Sequence, residues 1–182
     1  MISNTSTARA GLGTMRVAPI LAGTGFVVEG VLAVVHPVGD SGWDFLAEVL
    51  DVAFLVAVLA AAFALPAVGR WLGVERAGRG AVVVAQVGCV AMATESAVSA
   101  VNRGNTLGML FLGGVLLMAL GLLALGIAGV VAGVVRWAAP LPLVGWLVTI
   151  GGGDHGGSVV LGALCLAYAI LATRTAAEPV AT

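Results

Sequence analysis

The stretch DFLAEVLDVAFLVAVLAAAFALPAV, at positions 44–68, decides the fold. A helix needs about 20 apolar residues to cross the hydrocarbon core of a bilayer, and this stretch is long enough and apolar enough to do so. Its acids are Asp44, Glu48 and Asp51. An ionised side chain inside a membrane is expensive and usually serves a function. The stretch therefore predicts a membrane-spanning helix with a functional polar face.

The composition of the whole chain agrees with a membrane protein. Of its 182 residues, 60% are hydrophobic and only 9% are charged, whereas about a quarter of the residues of a soluble domain are charged. No cluster of basic residues is present, so a nucleic-acid partner is excluded. Cys89 and Cys165 lie in apolar runs without metal-binding or disulfide spacing, which favours two buried thiols.

Six apolar runs predict six membrane spans. The four that are long enough to cross a bilayer unaided lie at about 16–36, 44–68, 80–102 and 107–135. The last two, at about 138–150 and 156–173, are short and are joined by a glycine-rich turn, so they form either two crossings or one re-entrant hairpin. We therefore predict an all-α, polytopic helix bundle, with a membrane domain at 16–173 between cytoplasmic tails at 1–15 and 174–182.

The arginines predict the orientation of these spans. Cytoplasmic loops of membrane proteins are enriched in basic residues, and seven arginines fall at one end of the predicted spans, while Arg103 alone falls at the other. The seven are Arg9, Arg16, Arg70, Arg76, Arg79, Arg136 and Arg174. We therefore expect a multi-pass protein of the bacterial inner membrane with both termini in the cytoplasm. The first apolar run is interpreted as a retained span and not as a cleaved signal peptide.

Three consecutive spans each carry polar residues on one helical face. Residues spaced at i, i+4 and i+7 share a face of a helix. The members are Asp44, Glu48 and Asp51 on the second span, Glu95, Ser99 and Asn102 on the third, and Glu29 and His36 on the first. Because the spans alternate in direction, counting 1.5 Å per residue from their ends predicts a similar depth for Glu29, Asp51 and Glu95.

These residues predict a carboxylate-lined cleft that opens to the outer leaflet. Close carboxylates with little compensating charge should bind a proton or a cation. We assign proton transfer to Glu29, Asp51 and Glu95, with Glu48 assisting. Ligand-binding roles around the mouth are assigned to Asp44, His36, Ser99, Asn102 and Arg103.

Structural roles are the alternative for several of these residues. Asp44 is also typical of an acid at a helix N-terminus, and His36 of the end of a span. The three deep acids could instead tie helices together through hydrogen bonds. We expect no metal ion and no other cofactor, because the chain has neither HExxH nor a nucleotide-binding motif. A serine nucleophile elbow is absent as well.

Three functions fit this pattern. The protein could be an acid–base cyclase or isomerase of a hydrophobic substrate, since a neutral carboxylic acid in a dry site is a competent general acid. They could instead couple protons to the transport of a cationic or amphipathic solute, although Gln86 is the only polar residue deep in the inner half of the spans. The chain could also be a non-catalytic accessory subunit.

The glycine-rich span at 107–135 is a candidate packing surface. Its Gly129-x-x-x-Gly133 spacing permits the close approach of two helices. We expect this contact to lie within the bundle, with a second copy of the chain or another membrane protein as the alternative partner.

Three segments carry a resemblance to a loose group of small, six-span actinobacterial membrane proteins of unassigned function. They are Gly30-Val31-Leu32-Ala33-Val34-Val35-His36-Pro37, the pair Leu65-Pro66, and the stretch from Gly126 to Trp146. The resemblance implies the six-span topology and brings no catalytic residues. The chain is similar to integral-membrane terpene cyclases only in being a small helical bundle with intramembrane acids.

Overall fold

The structure, a computed structural model, is built from helices. It describes residues 5–35, 45–72, 74, 76, 78–102, 108–133, 140–152 and 155–175. The helices are α1 (Thr5–Val35), α2 (Phe45–Trp71), α3 (Arg79–Asn102), α4 (Gly108–Ala132), α5 (Leu141–Gly151) and α6 (Gly157–Thr175). No strand occurs within these described ranges, so the predicted all-α class is confirmed for them. Helix α1 begins at Thr5, inside the segment predicted as a tail.

Four helices are long and apolar enough to cross a membrane. Their apolar stretches are Val17–Val35, Glu48–Arg70, Arg79–Asn102 and Gly108–Ala132. The remaining two stretches, Leu141–Gly151 and Gly157–Ile170, are apolar but shorter. With 11 residues, α5 extends about 16 Å, roughly half of a 30 Å hydrocarbon core. The helices are therefore compatible with a multi-pass membrane protein, while six complete crossings stay a prediction.

Each helix packs against the next one in the chain, and α6 returns to pack against α1. The helices therefore follow one another around a closed bundle, in which the contact between α4 and α5 is the slightest. The side chains that fill the interior are almost completely buried and include Phe26, Val58, Met92, Leu125 and Trp146. Since the helices are apolar on most sides, this order of packing decides which side chains face inward.

Glycines bring two pairs of helices into backbone contact. A Cβ atom added to Gly88 of α3 would lie 2.5 Å from the Met118 backbone nitrogen, and one added to Gly121 of α4 would lie 2.5 Å from the Ala85 backbone nitrogen. Between α1 and α6, a Cβ atom on Gly162 would lie 2.7 Å from the Gly23 carbonyl oxygen. Small residues that allow such approach are the usual contacts between membrane helices.

The packing surface of α4 differs from the predicted Gly129-x-x-x-Gly133 pair. Gly133 has a φ of 73° and follows the last residue of α4, and a Cβ atom added to it would have no atom of another described residue within 4 Å. Gly129 is buried, and Gly114 and Gly121 lie against α3. Gly133 therefore packs against none of the described helices, and an oligomer formed through this helix stays a prediction.

The glycine contacts predict a position-dependent effect of a single methyl group on α4. Gly121→Ala should lower the free energy of unfolding by about 1–3 kcal/mol, the usual cost of overpacking, because the new methyl group meets the backbone of α3. Gly113→Ala on the same helix is the matched control, since its methyl group would have no atom within 4 Å. It should be neutral or slightly stabilising. The free energies of unfolding of the two variants are measured in detergent with tryptophan fluorescence as the probe. Equal destabilisation by Gly121→Ala and Gly113→Ala would contradict the prediction.

Candidate functional site

Two contacts set the relative heights of the three helices that carry the deep acids. On the α1–α2 side, Gly25 lies directly against Ala57, and on the α2–α3 side the Gln86 amide donates a hydrogen bond of 2.9 Å to the Ala62 carbonyl. Counting residues along these antiparallel helices puts both Glu29 and Glu95 level with residue 53 of α2. Glu29, Asp51 and Glu95 thus lie within about one helical turn of one another, roughly 5 Å along the bundle axis.

Asp51 and Glu95 form an interacting pair between α2 and α3. Glu95 exerts an electrostatic repulsion on the Asp51 carboxyl group. Glu95 is only 6% exposed, and the Ser99 hydroxyl, one turn along α3, donates a hydrogen bond of 2.9 Å to its Oε1 atom. A donor of this kind stabilises a buried carboxylate. The pair therefore combines one buried carboxyl group, one half-buried carboxyl group and one fixed donor.

Glu29 lies on α1, and its Oε2 atom is buried. The following residue, Gly30, lies against Ser158 and Val159 of α6. Ser158 is itself only 2% exposed. The contact with Gly30 therefore brings the buried Ser158 hydroxyl to the height of the acids. The sequence does not single out Ser158, because a serine immediately after a glycine-rich turn is equally typical of an exposed helix start.

An aromatic layer lies within about one helical turn of the acids along the bundle axis. It consists of Phe26, Phe54 and Phe111. The ring of Phe54 meets that of Phe26 edge-on with centroids 6.4 Å apart, and that of Phe111 at 5.8 Å. Phe26 precedes Glu29 by three residues and Phe54 follows Asp51 by three. The aromatic layer therefore lies at about the same height in the bundle as the acids.

Glu48 does not share the surroundings of Asp51. It lines a groove between α1 and α2 with a volume of about 470 Å³. The residues that line this α1–α2 groove are Leu21, Thr24, Gly25, Val28, Phe45, Glu48, Val49, Val52, Ala53 and Val56. The predicted acidic stripe on α2 is therefore divided, because Asp51 interacts with α3 whereas Glu48 borders the α1 side.

The other predicted site residues are less informative. Asn102 is exposed at the last residue of α3. Asp44, His36 and Arg103 lie outside the described residues. At the opposite end of the bundle, arginines are exposed at positions 70, 76 and 79.

Nothing in the described part of the chain groups three or more His, Cys, Asp and Glu side chains in a way that would hold a metal ion. The side chains that meet near the acids are carboxyl groups and hydroxyls, which can accept, hold and donate protons.

No protein-family model, curated protein or solved structure matches this chain. The function consequently has to be argued from the geometry of the carboxyl groups, and the resemblance to six-span actinobacterial proteins stays an expectation.

The Ser99–Glu95 hydrogen bond predicts a measurable loss on Ser99→Ala. A hydrogen bond to a charged partner contributes about 1.5–3 kcal/mol, so this substitution should lower the free energy of unfolding by about that amount. Thr94→Ala is the matched control, because the Thr94 hydroxyl is exposed and bonds only to the Val90 carbonyl of its own helix. Denaturant unfolding in detergent compares the two; no difference between them would remove the role given to Ser99.

The aromatic layer predicts that Phe26→Ala destabilises the bundle. Phe26 is completely buried, so its truncation leaves a cavity that costs roughly 2 kcal/mol or more even where lipid is the alternative surrounding. Phe63→Ala is the control, since the Phe63 side chain is 67% exposed on α2. Thermal unfolding of both variants in the same detergent is the measurement. A larger loss for Phe63→Ala would show that Phe26 is not part of the core.

Proposed function

We propose that this is a multi-pass protein of the bacterial inner membrane whose carboxyl groups bind a small lipophilic or cationic ligand and transfer protons to it. In this proposal the six helices cross the membrane with both termini in the cytoplasm. The exposed arginines of the 70–79 region then face the cytoplasm, which agrees with the usual enrichment of basic residues there. The acids lie in the outer half of the bilayer.

The observation that carries the proposal is the Asp51–Glu95 pair. Electrostatic repulsion acts between the two carboxyl groups, and the Ser99 hydroxyl donates a hydrogen bond to the Glu95 carboxyl group. In this proposal one carboxyl group of the pair acts as the acid and the other as the base.

An acid–base cyclase or isomerase of a hydrophobic substrate makes use of both groups. The acid donates its proton to one carbon of a C=C bond, whose electron pair forms the new C–H bond and leaves a cation on the neighbouring carbon. A second double bond can attack that cation and close a ring. A carboxylate then removes an adjacent proton, and the released electron pair forms the final C=C bond. The proton is returned to the acids, so no other reactant is consumed.

Further residues would complete the site. Glu29, at the same level on α1, would stabilise the cation or accept the proton, and Glu48 would assist at the α1–α2 groove. Ser99 and Asn102 would contact the ligand from α3. The ligand-binding roles of Asp44, His36 and Arg103 rest on the sequence alone.

Proton-coupled transport is the alternative that the described interior disfavours. A transported solute needs a polar path to the opposite side of the membrane. Towards the opposite end of the bundle, Met92, Cys89 and Leu125 are almost completely buried, and the Gln86 amide donates a hydrogen bond to the Ala62 carbonyl.

A compact lipophilic tertiary amine tests the proposal, because its protonated form resembles the cation of the reaction and should bind where that cation would form. The amine should raise the thermal stability of the wild-type protein. Its affinity should fall at least tenfold, equivalent to about 1.4 kcal/mol, in Glu95→Gln and in Asp51→Asn. Arg76→Gln is the control for removal of a charge, since Arg76 is exposed at the opposite end.

Solvent deuterium provides the test of catalysis. In D₂O, the wild-type protein incubated with a panel of polyene lipids should transfer deuterium to carbon in a matched substrate, and Glu95→Gln should not. An accessory subunit predicts another pattern, in which the amide variants lose stability while the amine has no effect on any of the proteins. That pattern would overturn the proposed function.

A further inference from the structure

The α1–α2 groove is an apolar depression with one acid. Apart from Thr24 and Glu48, its lining is apolar. Its wall residues Leu21, Val28, Val52 and Val56 are each between 43% and 51% exposed. In a membrane these side chains face lipid, so the groove is accessible to molecules that lie in the bilayer beside the protein.

The floor of the groove is formed by small residues. A Cβ atom added to Gly25 would lie 2.8 Å from the Ala57 Cβ atom, so α1 and α2 nearly touch there. Ala53 is the neighbouring small residue on α2. The larger side chains of the wall residues project further outward than Gly25 and Ala53, so the surface between α1 and α2 is a groove.

The length of the groove matches one leaflet. Along α2 it extends from Phe45 to Val56, which is about 16 Å at 1.5 Å per residue. The hydrocarbon core of a whole bilayer is about 30 Å thick. A single extended lipid chain, inserted from one surface to the middle of the membrane, has the dimensions that this groove accommodates.

The charge of the groove selects the head group. Glu48 lies in the first turn of α2, and among the described residues that line the groove it is the only charged one. It lies at the end of the groove where α2 begins, which is the end that a head group at the membrane surface would occupy. An ammonium group there would be attracted, and a phosphate or sulfate repelled, in a region of lower dielectric constant than water.

We propose that the α1–α2 groove binds a cationic amphiphile from the adjacent leaflet, with its apolar chain between α1 and α2 and its amine beside Glu48. This site is distinct from the Asp51–Glu95 pair and shares only Glu48 with the proposed proton-transfer site. Binding of the amphiphile does not require proton transfer, and it assigns to Glu48 the recognition of a head group.

Photo-crosslinking in nanodiscs of zwitterionic lipid tests this proposal. The probes are three amphiphiles with the same long alkyl chain and a diazirine in its middle, bearing a trimethylammonium, a sulfate or a maltoside head group. Peptide mapping should find the cationic probe on the 21–28 and 45–56 segments at least fivefold more often than the anionic one. Glu48→Gln should bring that ratio close to one without abolishing labelling by the maltoside.

Val52→Trp should decrease labelling of these segments by all three probes, because the larger side chain occupies the groove. Val87→Trp on α3 is the matched control, since Val87 is 52% exposed, as Val52 is at 51%, but does not line the groove. Equal labelling by cationic and anionic probes in the wild-type protein would overturn the proposal, and so would labelling that Val52→Trp leaves unchanged. Either result would mean that only non-selective annular lipid occupies this face. Tryptophan fluorescence and size-exclusion chromatography establish that each variant is folded.

Discussion

The close approach of helix backbones at glycine is the constraint on which the rest of the structure depends. Lipid is as apolar as the surface of these helices, so burial of apolar area does not by itself select one arrangement. Gly88 and Gly121 join α3 to α4, and Gly23 and Gly162 join α1 to α6. These contacts leave little freedom to slide one helix past another. The heights at which polar side chains meet are therefore a consequence of where the glycines stand.

The level of the acids and the aromatic layer are two results of that register. Glu29 and Asp51 are each three residues from a phenylalanine of the layer, so antiparallel packing that aligns the phenylalanines also aligns the acids. Carboxyl groups and aromatic rings are therefore close to one another along the bundle axis. Passage of an ion through the bundle would be unfavourable, because the ion would have to be desolvated among apolar side chains.

Much of the fold was predictable because membrane helices have strong sequence signals. The predicted spans at 44–68 and 80–102 correspond closely to Phe45–Trp71 and Arg79–Asn102. Helix contacts were harder to predict. The Gly129–Gly133 spacing resembles a packing motif, but Gly133 ends α4. The α4 glycines that lie against α3 are Gly114 and Gly121. Spacing shows that two glycines share a face; it does not show which face meets another helix.

For the candidate site, the sequence by itself determined that Glu29, Asp51 and Glu95 lie on long apolar helices at a similar height, since height follows from helix rise and alternating direction. Only the tertiary structure decided their neighbours. It separated Glu48 from Asp51, paired Asp51 with Glu95 and brought Ser158 against Gly30. The reason is geometric: residues three apart on one helix point about 60° away from each other. That angle is enough for them to face different neighbours, and the neighbours are set by glycine contacts far along the chain.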